Sequence, residues 1–342
     1  MCIEVNLYLK VLKLSKNIKL LLNYVLGPIV FLILIWSVYI QIQQQPGKIK
    51  SAGELLNVFS LKNLPYFLSV IVLMFINWSL EARKWQLVIN SLQKTNFLQA
   101  LKAIFTGNSV AFFTPNRIGE YFGRMVYVEE GKRAKSIAVT VVCSISQLLV
   151  TFLFGLAGLF LFAGKNQNLE ENLPANWIFS GIWVVVILSV VLGIIYFKMP
   201  AVTLRMEKLA FFRKIMPYIR VLELFNATVL FKLLSLSSFR YVIFIIQYYI
   251  LFSVFEVEIS FAECFISISL VFLIMAIIPS LAVLGDLGIR WKASIELVSL
   301  FSANYLGIMA ASFTVWLVNL VFPAIIGGFL LLRVKLFNNK KV

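Results

Sequence analysis

Two short polar runs interrupt an otherwise apolar chain, and both carry groups able to hold an anion. The first, at 114–124, contains Thr114, Pro115, Arg117, Gly119, Glu120 and Arg124. The second, at 279–290, contains Pro279, Gly285, Asp286 and Arg290. Each passes from a proline through a Gly–carboxylate pair to an arginine. Glu120 and Arg124 stand at i,i+4, as do Asp286 and Arg290, so each pair shares one helix face and can form an ion pair. Arginine presents a planar fork of donors suited to phosphate or carboxylate. Pro115 is placed to start a new helical segment with Thr114 as its cap, and free N–H groups at such a start favour an anion. The plainer readings are an ion pair that only stabilises the first run, and solvated surface charge in the second. Charge inside lipid is costly and by default points to a substrate path.

Other chemistries are excluded by composition. The chain has no histidine, and Asp286 is its only aspartate. This removes His-based triads, zinc sites with His ligands and paired-Asp metal sites. Cys2, Cys143 and Cys264 form no CxxC, so neither a disulfide framework nor a metal cluster is readable. No Walker-type phosphate loop is present, and no ATPase site or cofactor is expected. Ser144 and Gln147, at i,i+3, read as polar contacts between helices. Glu81, beside Arg83 and Lys84, reads as the interfacial end of a span.

The elements that must position these residues are membrane helices. Of 342 residues, 61% are hydrophobic and only 13% charged, far from a soluble composition. The fold class is therefore an all-α polytopic membrane protein, read as a single integral membrane domain. Apolar windows of spanning length fall near 20–41, 64–81, 136–163, 176–197, 239–255 and 303–332. Two further apolar runs, 97–113 and 261–278, lead into the polar breaks. The formal net charge is +16, but the basic residues sit in short loops beside spans. That placement suits orientation in the membrane and anionic headgroups, not nucleic acid.

Loop charges then decide the topology. The basic N-terminus, the 198–238 segment and the C-terminus are expected in the cytoplasm; the acidic loops at 164–175 and 256–263 are expected outside. The parity closes if 97–130 and 261–302 are re-entrant hairpins, one from each side of the membrane. The chain becomes about six transmembrane helices plus two re-entrant hairpins in an inverted-topology repeat. Its parts are an anchor helix at 20–41, a first repeat at 64–197, a cytoplasmic amphipathic segment at 198–238 and a second repeat at 239–335. The two hairpin tips are expected to meet at mid-membrane, with Asp286 and Arg290 pairing across to Arg124 and Glu120. The alternative is eight full spans.

The run TPNRIGEYFGR at 114–124, the following SISQLLVTFLFGLAG and the later IPSLAVLGDLGIR together resemble the lysylphosphatidylglycerol synthase transmembrane-region family, the flippase-like domain family. The resemblance covers about residues 20–335, and Gln147 stands where that family would place it. It implies an inner-membrane protein that moves lipid between leaflets, with a phospholipid or other anionic lipid as partner. Full-length synthases add a soluble catalytic domain after the membrane part. None follows here, so the chain is not expected to make aminoacyl lipid. Two other readings stay open: a membrane-embedded enzyme acting on lipid-linked phosphate, with Glu120 as general base, and a non-transporting partner of an envelope-lipid enzyme. A homo-oligomer is also open; Gly327-Gly328 permits close helix contact.

Overall fold

The structure, a computed structural model, describes Trp36 and residues 61–165, 175–278 and 283–338. Every regular element among them is helical. In chain order these are α1 (Leu64–Ile89), α2 (Phe97–Phe112), α3 (Gly119–Met125), α4 (Arg133–Lys165), α5 (Ala175–Phe197), α6 (Met199–Glu207), α7 (Ala227–Val254), α8 (Phe261–Ile277), α9 (Val283–Val298), α10 (Tyr305–Trp316) and α11 (Phe322–Asn338). A π-helical turn, Leu317–Val321, joins α10 to α11 without a break. Five helical stretches among the described residues are long and apolar enough to cross a membrane: Leu61–Ile89, Glu130–Gly164, Ser180–Phe197, Ala227–Val254 and Tyr305–Leu332. The expected anchor at 20–41, apart from Trp36, lies outside the described residues, as does Pro279.

Two spans run further than hydropathy predicts. α1 does not stop near residue 81 but continues to Ile89, and α7 starts at Ala227 instead of 239. On α1 the added turns carry Glu81 and Lys84, which are buried between helices where partners replace lipid, while Arg83 stays exposed; on α7 they carry the buried Ser237 and the exposed Lys232. α1 accordingly turns Asn77, Glu81, Lys84 and Trp85 inward and leaves Val72, Phe75 and Ile76 exposed. In a lipid solvent an outward apolar face carries no penalty, so the interior is free to be the polar side.

The two shorter helix pairs are hairpins that start and finish at one end of the bundle. At 16 residues, α2 measures about 24 Å, short of a bilayer core of about 30 Å. The Gln93 side chain, where the first hairpin starts, donates to the Tyr127 carbonyl at 3.0 Å and accepts from the Glu129 N–H at 3.0 Å, where it finishes. At the second hairpin the roles reverse. Asn304, after its finish, donates to the carbonyls of Phe255 and Glu256, before its start, at 2.9 and 3.0 Å. Each hairpin's first arm opens with a reciprocal capping box: Asn96 with Gln99 on α2, Ser260 with Glu263 on α8.

α1 and α7 pack antiparallel. Lys84 reaches Ser237, Asn77 and Glu81 reach Arg240, the Val70 carbonyl meets Gln247, and the ring of Phe67 meets that of Phe255 just beyond α7. The first hairpin hangs from the C-terminal end of α1 and the second from the C-terminal end of α7, so the two enter from opposite ends of the bundle. Packing is reciprocal as well: α2 lies against α11, and α8 lies against α4. Close approach sets two glycines. A Cβ on Gly123 of α3 would stand 2.6 Å from the Gly107 Cα of α2, and one on Gly327 of α11 would stand 1.8 Å from the Phe105 carbonyl oxygen. Gly327 thus serves packing within this chain.

The 198–238 segment is not one amphipathic helix. Pro200 and Pro217 stand at the starts of separate short helices, α6 and Met216–Ile219, with a 3-10 turn following at Arg220–Leu224. Met199, Thr203, Met216 and Val221 are buried, while Leu204, Leu209 and Phe211 are exposed among Arg205, Lys208 and Arg213. The amphipathic character holds, spread over several turns, and the last part of the segment belongs to α7.

Candidate functional site

Glu81 is the centre of a buried ionic cluster drawn from several helices. One carboxylate oxygen accepts from Arg124 Nη2 of α3 at 3.0 Å. The other accepts from Lys84 Nζ at 2.8 Å and from Arg240 Nη1 of α7. Arg240 also donates through Nε to Asn77 Oδ1 at 2.7 Å and through Nη1 to Gln147 Oε1 of α4 at 3.2 Å. Its guanidinium lies over the Trp78 ring, 5.6 Å from the centroid. Lys84 donates to Ser237 Oγ at 3.2 Å, which in turn meets Ser146 Oγ at 3.0 Å. Side-chain exposure is 1% at Lys84, 2% at Arg124, 6% at Glu81 and 9% at Arg240.

Glu81 is therefore not an interfacial residue, as its charged neighbours suggested. It is held in the interior because three cations from three helices converge on it. Each charge alone would cost several kcal/mol to bury, and only pairing with further hydrogen bonds offsets this. Arg124 also pairs with Glu120, which is 22% exposed and stands at the edge of the cluster. The five ionised groups, Glu81, Glu120, Lys84, Arg124 and Arg240, leave one formal positive charge uncompensated. Two donors of that group, Arg124 Nε and Nη1, are buried without an acceptor.

The break at 113–118 frames this cluster. Thr114 Oγ1 accepts from the Gly119 N–H at 2.7 Å. The hydroxyl thus satisfies the first N–H of α3, while Thr114 itself holds the N-cap position of the Pro115 turn, a single 3-10 turn ending at Arg117, without a side-chain cap bond to it. Asn116 and Arg117 both have positive φ, 50° and 56°, a conformation Asn tolerates and Arg rarely adopts. Arg117 is held there by Asn108, whose Oδ1 accepts from Nη2 at 2.7 Å. Asn108 in turn donates to the Leu320 carbonyl at 3.1 Å, inside the π-helical turn. Gly119 is buried against the Val110 carbonyl.

The second break does not join the first through charge. Arg290 donates to Asp286 Oδ2 at 3.4 Å and to Tyr248 Oη of α7 at 3.2 Å. The expected cross-pairing of Asp286 and Arg290 with Arg124 and Glu120 is not formed. Each arginine turns to the long helix that opens its own half: Arg124 to α1, Arg290 to α7. An aromatic series, Phe112–Trp316–Phe313–Trp291, links the end of α2 to α9, with centroid separations of 6.4, 5.8 and 6.0 Å. Gly285 is buried in the first turn of α9.

Of the residues singled out from sequence, Glu120, Arg124 and Gln147 belong to the ionic cluster, and Thr114, Pro115, Arg117 and Gly119 shape its hairpin. Sequence reasoning misses Asn77 and Arg240 and misplaces Glu81 and Lys84 at an interface. The signal was present: Asn77, Glu81 and Lys84 recur at helical spacing on one face, and Arg240 lies at the margin of an apolar window.

Long apolar helices, two hairpins from opposite ends and a paired ionic core define a polytopic membrane protein. Residues 15–327 match the family described as Lysylphosphatidylglycerol synthase TM region, so the chain belongs to that family. The match ties it to membrane lipid. No curated protein and no solved structure matches the chain.

Proposed function

We propose that the protein is a flippase-like transporter that moves a phospholipid, or a lipid-linked phosphate headgroup, between the leaflets of the inner (cytoplasmic) membrane. The observation that carries this reading is the buried cluster around Glu81. It has one cation too many, and Arg124 offers two nitrogens, Nε and Nη1, without an acceptor. A desolvated positive site of this kind is stabilised by an anion, and a phosphodiester supplies one negative charge with strong acceptors. Arg124 and Arg240 take the phosphate. Glu120, partly exposed beside Arg124, is displaced by it or meets a cationic part of the headgroup.

The outer wall of α1, on the side away from Glu81, offers a separate apolar surface for lipid. A groove of about 570 Å³ runs along Val72, Phe75, Ile76, Ser79 and Leu80 and ends at Arg83. Acyl tails fit the apolar stretch, with the charge at its end toward the headgroups. Basic residues of the 198–226 stretch favour the cytoplasmic face, and the reading takes both termini to lie on that side. The enzymatic reading gains no support, because Glu120 is engaged by Arg124 and Glu81 by three cations.

The test is reconstitution into liposomes carrying a headgroup-labelled phosphatidylglycerol, with leaflet exchange followed by quenching from outside. Wild type is expected to equilibrate the label and Arg124→Gln to slow it at least tenfold. Equal rates in empty liposomes and with wild-type protein would refute the reading.

A further inference from the structure

Arg83 stands where two grooves on the outside of α1 meet. One is the apolar groove of about 570 Å³ that runs from Val72 along Phe75, Ile76 and Leu80. The other, of about 640 Å³, lies in the seam between α1 and α7 and is lined by Leu87, Phe231, Lys232 and Ser235. Arg83 lines both. The two cations at this junction come from the two halves of the bundle, Arg83 from α1 and Lys232 from α7, and both are exposed. Among the described residues no carboxylate lines either groove. The guanidinium of Arg83 is also held in place. Its Nη1 donates to Gln86 Oε1 at 2.7 Å, and Gln86 Nε2 donates in turn to the Thr95 carbonyl at 2.9 Å.

The dimensions of the apolar groove select its occupant. From Val72 to Arg83, α1 rises about 16 Å at about 1.5 Å per residue, which is about one leaflet of a hydrocarbon core of about 30 Å. An acyl chain whose phosphate is held at Arg83 ends near Val72, whereas a spanning helix has no reason to stop there. Charge selects in the same sense. The apolar run at 20–41 carries no carboxylate to meet Arg83 and Lys232, and Lys10, Lys13, Lys16 and Lys19 before it add like charge. A phosphodiester supplies the missing anion: it accepts the fork of an arginine and the point charge of a lysine together. Basic pockets between membrane helices, at headgroup level, are a recurrent place for anionic lipid.

We infer that the seam of α1 and α7 holds a resident anionic phospholipid, with its phosphate between Arg83 and Lys232 and an acyl chain in the groove toward Val72. This lipid is a fixed part of the protein and not its cargo, because Arg83 faces out of the bundle while Glu81 and Lys84 face in. Its phosphate neutralises two like charges across a seam whose inward side carries the bonds of Asn77 and Glu81 to Arg240. It thereby fastens the two halves to each other at the level of the buried cluster. The inference does not rest on the transport reading, since a protein that moves no lipid would carry the same site.

The test exposes full-length protein in detergent to limiting amounts of phosphatidylglycerol or phosphatidylcholine, each with a photoactivatable group in the acyl chain, and maps the labelled peptides. Wild type is expected to be labelled between Val72 and Phe97 by phosphatidylglycerol and far less by phosphatidylcholine. Arg83→Gln and Lys232→Gln each lower this labelling about fivefold and the double variant about thirtyfold, which is roughly 1 kcal/mol per cation. Arg213→Gln, at an exposed basic residue elsewhere, and Arg124→Gln leave it unchanged. Gel filtration confirms the fold of each variant. Equal labelling by the two lipids, or labelling that survives the double variant, would reduce the groove to unselective lipid contact and overturn the inference. No labelling of this stretch by either lipid would mean that another part of the chain covers it, which also overturns it. Leaflet exchange measured on the same samples separates the two readings: a wild type that is labelled as expected but moves no lipid keeps the resident site and loses the transport reading.

Discussion

Arg124 and Glu81 meet at 3.0 Å although they belong to a seven-residue helix and to a long span. This contact docks the first hairpin against the span that precedes it. Removing the carboxylate leaves Lys84, Arg124 and Arg240 buried with one fewer counter-charge. Glu81→Gln is expected to destabilise the protein by about 3 kcal/mol or more, seen as a lowered midpoint of thermal unfolding in detergent. Glu120→Gln, at the exposed edge, is expected to cost far less. A Glu81→Gln protein as stable as wild type would contradict the central role of that carboxylate.

Gln147 allows the charge of the site to be changed with little change of shape. Gln147→Glu sets a carboxylate against Arg240 at the place where an amide oxygen now accepts. The positive excess is cancelled, and phosphate binding at Arg124 is expected to weaken about tenfold, which is about 1.4 kcal/mol. The unfolding midpoint is expected to hold or rise. Unchanged phosphate affinity in this variant would show that the excess charge is not what attracts the anion.

Close packing of α11 on α2 gives a purely steric prediction. Gly327→Ala sets a methyl group 1.8 Å from the Phe105 carbonyl oxygen, which backbone must move to relieve. A loss of roughly 1–3 kcal/mol is expected. Gly131→Ala, with open space around its Cβ, is the control and is expected to leave the melting temperature unchanged. Equal melting of the two variants would argue that α11 does not press on the hairpin.

Gln93 fastens the first hairpin where it starts and finishes. Gln93→Ala removes both contacts, to the Tyr127 carbonyl and from the Glu129 N–H. A cost of about 1–2 kcal/mol is expected from typical net hydrogen-bond values, together with faster proteolysis around residues 128–132. Cleavage rates matching wild type would mean the hairpin is held from elsewhere.

Much of this arrangement is legible in the sequence, and the part that is not has a common cause. Hydropathy located the spans among the described residues, and loop charge identified the hairpins, because both depend on the solvent a segment meets. It could not tell that the charged turn at Glu81–Lys84 lies inside the bundle. Burial there depends on Arg124 and Arg240, which are distant in the chain and have no periodic relation to it. The same limit explains the missing cross-pairing of the two breaks. Matching residue types point to related hairpins, but which helix each arginine turns to is set by packing: Arg124 meets Glu81 of α1 and Arg290 meets Tyr248 of α7. Thr114 stands at the N-cap position of the Pro115 turn, as the sequence suggests, but its hydroxyl serves the first N–H of α3, since the positive φ of Asn116 and Arg117 delays the helix.

The fastenings at Gln93 and Asn304 are carboxamides. They carry no charge, so a transmembrane voltage does no work on either when a hairpin shifts, whereas each guanidinium that moves through the full field exchanges about 2.3 kcal/mol per 100 mV with it. Electrical sensitivity is thereby left to the charged side chains of the hairpins, Glu120 and Asp286 as well as Arg124 and Arg290, and to whatever anion accompanies them.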